Sequence, residues 1–414
     1  MSLLRGLVSG LPRAFWILFA GTVVNRTGSF VLPFLAVYLT RVRHFSIAQA
    51  GAVAALWGVG VAIAGPLGGF VADHVGRRAT MMFALGLGGA GMIGLGFLRS
   101  LAWIAPATML VALVGEMYRP AMQAAIVDVV APADRVRAMG LIYWAINLGV
   151  AIGASLGGLL ATVSYTLLFV GDGLTTLAFG FIVWRAVAES HTPVEPAVSG
   201  ARGHLRDFFI AFHDPPFVLF VVLVMMIAAI FMQHTSTLPL DMAAHGLSSA
   251  AIGLVLAVNG GLIVLVQPLL GPWLTHRNPS RAIAAGSALV GLGFGLNALA
   301  HAAPSFGLAA AVWTIGEIFT LPVAGSLVAD LSPPESRGRY QGATGLSWGL
   351  AAAAGPLLGT FVLEHLGARV LWGGCLALGL AVALVHFVWT PALTRIRLER
   401  LARAHGGAPV GAGY

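Results

Sequence analysis

The sequence has no lysine and a single cysteine, and only 9% of its residues are charged. The lone Cys375 excludes an intrachain disulfide, so nothing here calls for an oxidising compartment. The shortage of charge excludes a soluble globular protein. A chain of 414 residues that is 58% hydrophobic, with a mean hydropathy of +0.90, has too few polar side chains to cover two or three soluble domains. All 23 basic residues are arginine, against 15 acids, for a net charge of +8. The arginines are scattered through short loops, which reads as membrane topology and not as a nucleic-acid surface. Among the 12 histidines no His-x-x-x-His pair stands beside a third ligand, so no metal is expected.

Two matches to catalytic or cofactor motifs lack their structural context. "GASLG" (153–157) fits a hydrolase nucleophile elbow, but Ser155 lies within an apolar helical run instead of a strand-to-helix turn. "GLGGAG" (86–91) fits a dinucleotide loop, but no strand precedes it and no ribose-binding acid follows in a Rossmann unit. Both read as small-residue packing faces. No cofactor and no enzymatic activity are expected.

What the chain does have is a series of apolar stretches, each long enough to cross a bilayer as a helix of about 20 residues. Twelve are expected, at 14–39, 47–71, 79–98, 101–129, 139–163, 166–187, 216–239, 249–273, 281–301, 304–329, 341–363 and 367–390. Arg5 and Arg13 before the first resemble the basic start of a signal peptide, but the apolar run is too long, so it is read as an uncleaved span. Loops at the end away from the termini hold only Arg41, Arg43, Arg99 and Arg369, and Arg26 and Arg119 lie inside spans. The other arginines lie at the termini end, which predicts both termini in the cytoplasm.

The chain also repeats. "DRVRAMGLIYWAINLGVAIGASLGG" (134–158) lies over "SRGRYQGATGLSWGLAAAAGPLLGT" (336–360) at an offset of 202 residues. The same offset places Gly51 on Gly253, Gly58 on Gly260, Pro66 on Pro268, Gly69 on Gly271 and Asp128 on Asp330. The expected architecture is therefore an all-α membrane protein of two pseudo-symmetric six-helix halves around a central cavity. The halves are drawn at residues 1–187 and 215–390, with a cytoplasmic linker over 188–214 and a cytoplasmic tail over 391–414.

The loop after the second span reads "GGFVADHVGRR" (68–78). Gly69, Asp73, Gly76, Arg77 and Arg78 resemble the Gly-x-x-x-Asp-basic-x-Gly-basic-basic signature of the major facilitator superfamily. That resemblance implies a cluster that latches the two halves together on the cytoplasmic side and breaks during alternating access. The second-half copy, "GPWLTHRNPSR" (271–281), has Thr275 in place of the acid. Gly140, Gly149, Gly153, Gly157 and Gly158 resemble the fifth-helix motif of the family's proton-driven antiporters, with Ala154 where the motif has proline. "TIGEIFTLPVAGSLVADLSPPESRGRYQG" (314–342) is similar to the tenth helix and following loop of lactococcal-type multidrug/proton antiporters, and "YWAINLGVAIGASLGG" (143–158) to their fifth helix. These relatives carry acids where Thr235 and Ile142 stand here.

In this superfamily spans 1, 4, 7 and 10 line the cavity, and the chain's deep charges fall on them: Arg26, Glu116, Arg119 and Glu317. Such groups are costly in hydrocarbon and usually face a cavity or a partner. Glu116 and Arg119, three residues apart, can neutralise each other, with Arg26 close by. Glu317 has no basic neighbour on its own helix and is the expected proton carrier; as a carboxylate it could also attract a cationic substrate. Asn25, Gln233, His234, Tyr143, Trp144 and Trp313 complete the expected substrate-binding set, the aromatic residues as stacking surfaces. Asp128 is read as a loop anchor, and Asp172 as a weaker carrier candidate. The resemblance implies a proton-coupled exporter of hydrophobic or cationic small molecules, working as a monomer in the cell's inner membrane with membrane lipid around it. A nutrient importer of the same fold, or a non-transporting sensor, stays open.

Overall fold

The computed structural model describes residues 10–189, 209–333 and 337–404. Within them twelve helical spans are long and apolar enough to cross a membrane, from Arg13–Arg41 to Ala368–Ala402, and no strand occurs among the described residues. Helices are expected where water cannot satisfy the backbone, because each closes its own hydrogen bonds. Their starts are set by side chains in the loops. Ser46 and Gln49 form a capping box before Ile47–His74, Ser248 accepts from Ala251 N, and Asn278 accepts from Ser280 N and Arg281 N.

Three spans are interrupted. Span 1 is two helices, Arg13–Thr27 and Val31–Arg41; span 4 is divided by a turn at Met117 into Leu101–Glu116 and Tyr118–Val129; span 7 passes through a short 3₁₀ turn before Thr237–Ala244. The break in span 1 begins at Gly28, where a Cβ would strike the Thr175 side chain of span 6, so close packing requires the glycine.

The repeat is visible as contacts. Span 2 packs along span 11 and span 5 along span 8, across the boundary between halves. Gly51 meets Thr360, and its repeat partner Gly253 meets Gly158, which is the repeat partner of Thr360. Gly58 lies against the backbone of Ala352, and Gly260 against Asn147 and Ala151. Small residues let these backbones approach, which is the main source of helix adhesion where lipid offers no hydrophobic drive.

All of these contacts lie in the parts of the spans away from the termini. On the same four spans Gly65, Gly69, Gly140, Gly261, Gly271 and Gly345 have open space around them. The apolar cores agree. One runs through both halves at the far end, joining Phe34 and Leu39 to Ile252 and Trp372. At the termini end each half has its own core, around Phe179 and Phe217 respectively. The halves are thus closed at the far end and splayed at the end that carries the termini.

One boundary differs from expectation. The last helix runs without interruption over Ala368–Ala404, through Pro391, so residues drawn as a tail continue span 12. Leu393 is buried and Ile396 packs on the C-terminal core, while Arg397 and Arg400 reach acids of the same half.

Candidate functional site

The break in span 1 and the turn in span 4 face each other across a polar pocket inside the N-terminal half. Arg26 donates to the Tyr118 hydroxyl, which donates to Asn25 Oδ1 at 3.2 Å; Asn25 Nδ2 donates to Thr176 Oγ1 at 3.0 Å. Arg26 lies 4.0 Å from Glu116, which is in direct contact with Arg119. The carboxylate of Asp172 accepts from Val31 N at 3.3 Å, taking one of the amides that the interrupted helix leaves unpaired. The pocket that these groups line has a volume of about 90 Å³, room for a few waters but not for a drug-sized molecule.

Span 5 holds this arrangement in place. A Cβ at Gly149 would lie 2.5 Å from Arg26 Cβ, and one at Gly153 would lie 2.9 Å from the carbonyls of Arg26 and Thr27. Gly157 faces Phe30 and Phe34, and Gly158 crosses to span 8 at Ser249 and Gly253. Four of the five motif glycines therefore seat the interrupted part of span 1 or the seam between halves. Gly140 faces open space.

Glu317 stands apart in the C-terminal half. It is 5% exposed, accepts from Asn259 Nδ2 at 2.7 Å, and meets no basic side chain among the described residues. Asn259 also reaches Thr314 Oγ1 at 3.2 Å. Tyr143, from the other half, packs against the same core. A carboxyl with one neutral donor and no counter-charge must carry its charge alone or exist as the acid.

Two expected substrate contacts are structural in this conformation. Trp313 is 1% exposed and stacks on Phe294 at 5.2 Å, inside the core. Gln233 is spent on the fold: Nε2 donates to Ala229 O and Gly355 O at 2.9 Å each, and Oε1 accepts from Thr237. His234 Nδ1 lies 2.6 Å from Phe231 O, with its ring against Phe231. Trp144 is half-buried and stacks on Phe19. Helical spacing shows which residues share a face but not whether that face meets a cavity or a neighbouring helix.

At the termini end, the cluster expected to bridge the halves makes its contacts, among the described residues, within the first. Asp73 pairs with Arg77, and Arg77 Nε lies 3.5 Å from Asp128. Glu189, beyond the end of span 6, accepts from Arg77 N at 2.8 Å and from Arg78 N at 3.1 Å, capping span 3. Gly76, at φ +114°, turns the chain there, and a Cβ would lie 2.6 Å from that carboxylate. With the halves splayed at this end, these groups pair with one another inside the first half. In the second half Asp330 pairs with Arg397 at 2.6 Å, and Asp214 with Arg400 at 2.7 Å.

Sequence reasoning missed Tyr118, Thr176, Asn259 and Glu189. Tyr118 lies between Glu116 and Arg119, and Asn259 is a polar residue in an otherwise apolar run, so each left a local signal. Glu189 left none, because its partners are about 110 residues away.

The family model of the Major Facilitator Superfamily matches residues 18–243 and 234–410. The MFS-type transporter YttB of Bacillus subtilis is 28% identical over 372 residues, covering 87% of this chain and 91% of its own. A Na⁺, Li⁺, K⁺/H⁺ antiporter of Planococcus maritimus is 26% identical, over 81% of this chain and 85% of its own, and the multidrug resistance protein MdtH of Aeromonas hydrophila is 24% identical, over 70% and 72%. The solved structure of a POT family transporter in complex with 5-aminolevulinic acid superposes with a TM-score of 0.82, at 14% identity, over 94% of this chain and 98% of that one; at such identity it speaks for the fold alone. Twelve spans in two repeated halves, interrupted at spans 1, 4 and 7 and matched along nearly the whole length, place this chain in the Major Facilitator Superfamily as a multi-pass membrane transporter.

Proposed function

We propose that the protein is a proton-coupled exporter of hydrophobic or cationic small molecules, working by alternating access, with both termini in the cytoplasm of a cell whose plasma membrane it spans. The observation that carries this reading is Glu317, a buried carboxyl on span 10 with a neutral partner and, among the described residues, no counter-charge. Such a group can hold a proton in one conformation and release it, or trade it for a cation, in another. Arg26, Glu116 and Arg119 form the second charged station on the opposite half, where Glu116 is neutralised by arginine and Arg26 is held by Tyr118. The similarity to a multidrug resistance protein and to the antiporter-like fifth helix supports export. The splayed termini end would then be the loading conformation.

A second reading is exchange of a monovalent metal cation for protons, favoured by the relative of that name at 26% identity. One experiment separates the two. The protein is reconstituted in proteoliposomes with an internal pH indicator, and tetraphenylphosphonium, sodium, potassium and a neutral dipeptide are added in turn under an imposed pH gradient. Exporting exchange predicts proton movement opposite to the lipophilic cation and none with the dipeptide. Response to sodium or potassium alone selects the second reading. Proton flow in the same direction as the dipeptide would overturn both.

A further inference from the structure

The repeat is not equal at the termini end, and the difference leaves a cavity. In the first half Arg77 fills the space between Asp73 and Asp128. The position 202 residues on is Pro279, and the acid that repeats Asp128, Asp330, takes Arg397 from the last helix instead. Between spans 8 and 10, beside that missing arginine, lies a cavity of about 320 Å³. Its lining joins an apolar side, Leu274, Ile318, Pro322 and Val323, to polar groups, Gln267, Ser326, Arg277 and Arg397.

The charges of the described residues at this end of the second half do not balance. Asp330 is paired with Arg397, Asp214 with Arg400, and Glu399 with Arg395. Arg277 is exposed, lies over the Trp273 ring at 4.5 Å, and meets no carboxylate among the described residues. The cavity is at the edge of the apolar part of the spans, where a bilayer has its headgroups. A cavity of ligand-binding size with an apolar side and an unneutralised guanidinium suits an amphiphile with an anionic head. A free phosphate would use the arginine but not the apolar side, and an uncharged lipid the apolar side but not the arginine.

We propose that this cavity is a binding site for an anionic phospholipid, with one acyl chain against Leu274, Ile318 and Val323 and the phosphate on Arg277. The assignment does not depend on the direction of transport.

The test uses the full chain purified in detergent and titrated with phosphatidylglycerol, phosphatidylcholine or inorganic phosphate. Bound lipid is counted by native mass spectrometry and thermal stability is followed in parallel. Phosphatidylglycerol should be retained and should raise Tm, with neither effect from phosphatidylcholine or phosphate. Arg277→Gln should weaken phosphatidylglycerol binding about fivefold, as for one basic side chain at an anionic surface. Ser326→Phe, which fills the cavity from an exposed position on span 10, should remove binding while leaving Arg277 in place. If Ser326→Phe fails to fold, the decision rests on Arg277→Gln, which alters an exposed side chain and removes only its charge and its contact with the Trp273 ring. Unchanged phosphatidylglycerol binding in Arg277→Gln overturns the proposal. So does equal stabilisation by inorganic phosphate, which would make this a free-anion site, or equal retention of phosphatidylcholine.

Discussion

Replacing Gly253 by alanine should drive the protein out of the conformation described here. The added Cβ meets Ala154 O and lies 3.0 Å from Gly158 Cα, all across the seam between halves. These are backbone atoms and cannot rotate away. Overpacking of this kind costs about 1–3 kcal/mol. The cost falls only on the state whose far end is closed, so the ratio of conformers should shift by about 5- to 150-fold. Labels at Val75 and His276, exposed on the first and second halves at the termini end, would read the shift as a distance distribution in a Cys375→Ala background. The distance should shorten as the far end is wedged apart and the termini end closes. Gly261→Ala is the control, since its Cβ enters open space and should leave the distribution unchanged. An unaltered distribution in a well-folded Gly253→Ala protein, or an equal shortening in Gly261→Ala, would refute the reasoning that the glycine seam holds this state.

Glu317→Gln should retain expression and exchange at equilibrium but lose accumulation driven by a pH gradient, measured in proteoliposomes; intact coupling would point to another carboxylate. Glu116→Gln should lower Tm, but by less than the roughly 3–5 kcal/mol of a fully buried broken pair, because Arg119 is 48% exposed and only Arg26 is left stranded. Glu189→Ala removes a cap from span 3 and should cost about 1 kcal/mol in unfolding without changing substrate affinity. Burial pushes the Asp214 carboxyl up, but donors from Arg400 and Tyr340 outweigh it and hold the group below the usual carboxylate range. Its contribution is complete above the unfolded pKa of about 3.9 and is lost as pH falls through the lower folded value. The Tm difference between the parent and Asp214→Asn should thus be constant from neutral pH to about 5 and close below about 4.

The spans and the repeat were legible because hydrocarbon imposes length and apolarity, and because a constant offset survives in glycines that touch across the seam. Gly51, Gly58, Gly253 and Gly260 were paired by spacing alone and meet equivalent neighbours. The grouping of Arg26, Glu116 and Arg119 was also legible, since charges at depth must find partners. The breaks at Gly28 and Met117 were not, because hydropathy averages over them. Trp313 and Gln233 were assigned to a cavity and lie in packing because one sequence does not tell an inner face from an interhelical one. The extension through Arg400 carried a readable signal: Leu393 and Ile396 are three apart, as on one face of a continuing helix.

The two ends of the connection between halves are pinned to different bodies. Glu189 ties its start to span 3, and Asp214 ties its end to Arg400 and Tyr340. About 25 residues separate these anchors, a contour of roughly 80 Å if drawn out. That is longer than the hydrocarbon of a bilayer is thick, at about 30 Å. Drawn out, a connection of that length does not by itself limit how far the halves swing. Because Gly51, Gly58, Gly253 and Gly260 join the halves by non-covalent contact, two separately translated halves that find each other should still move as one machine.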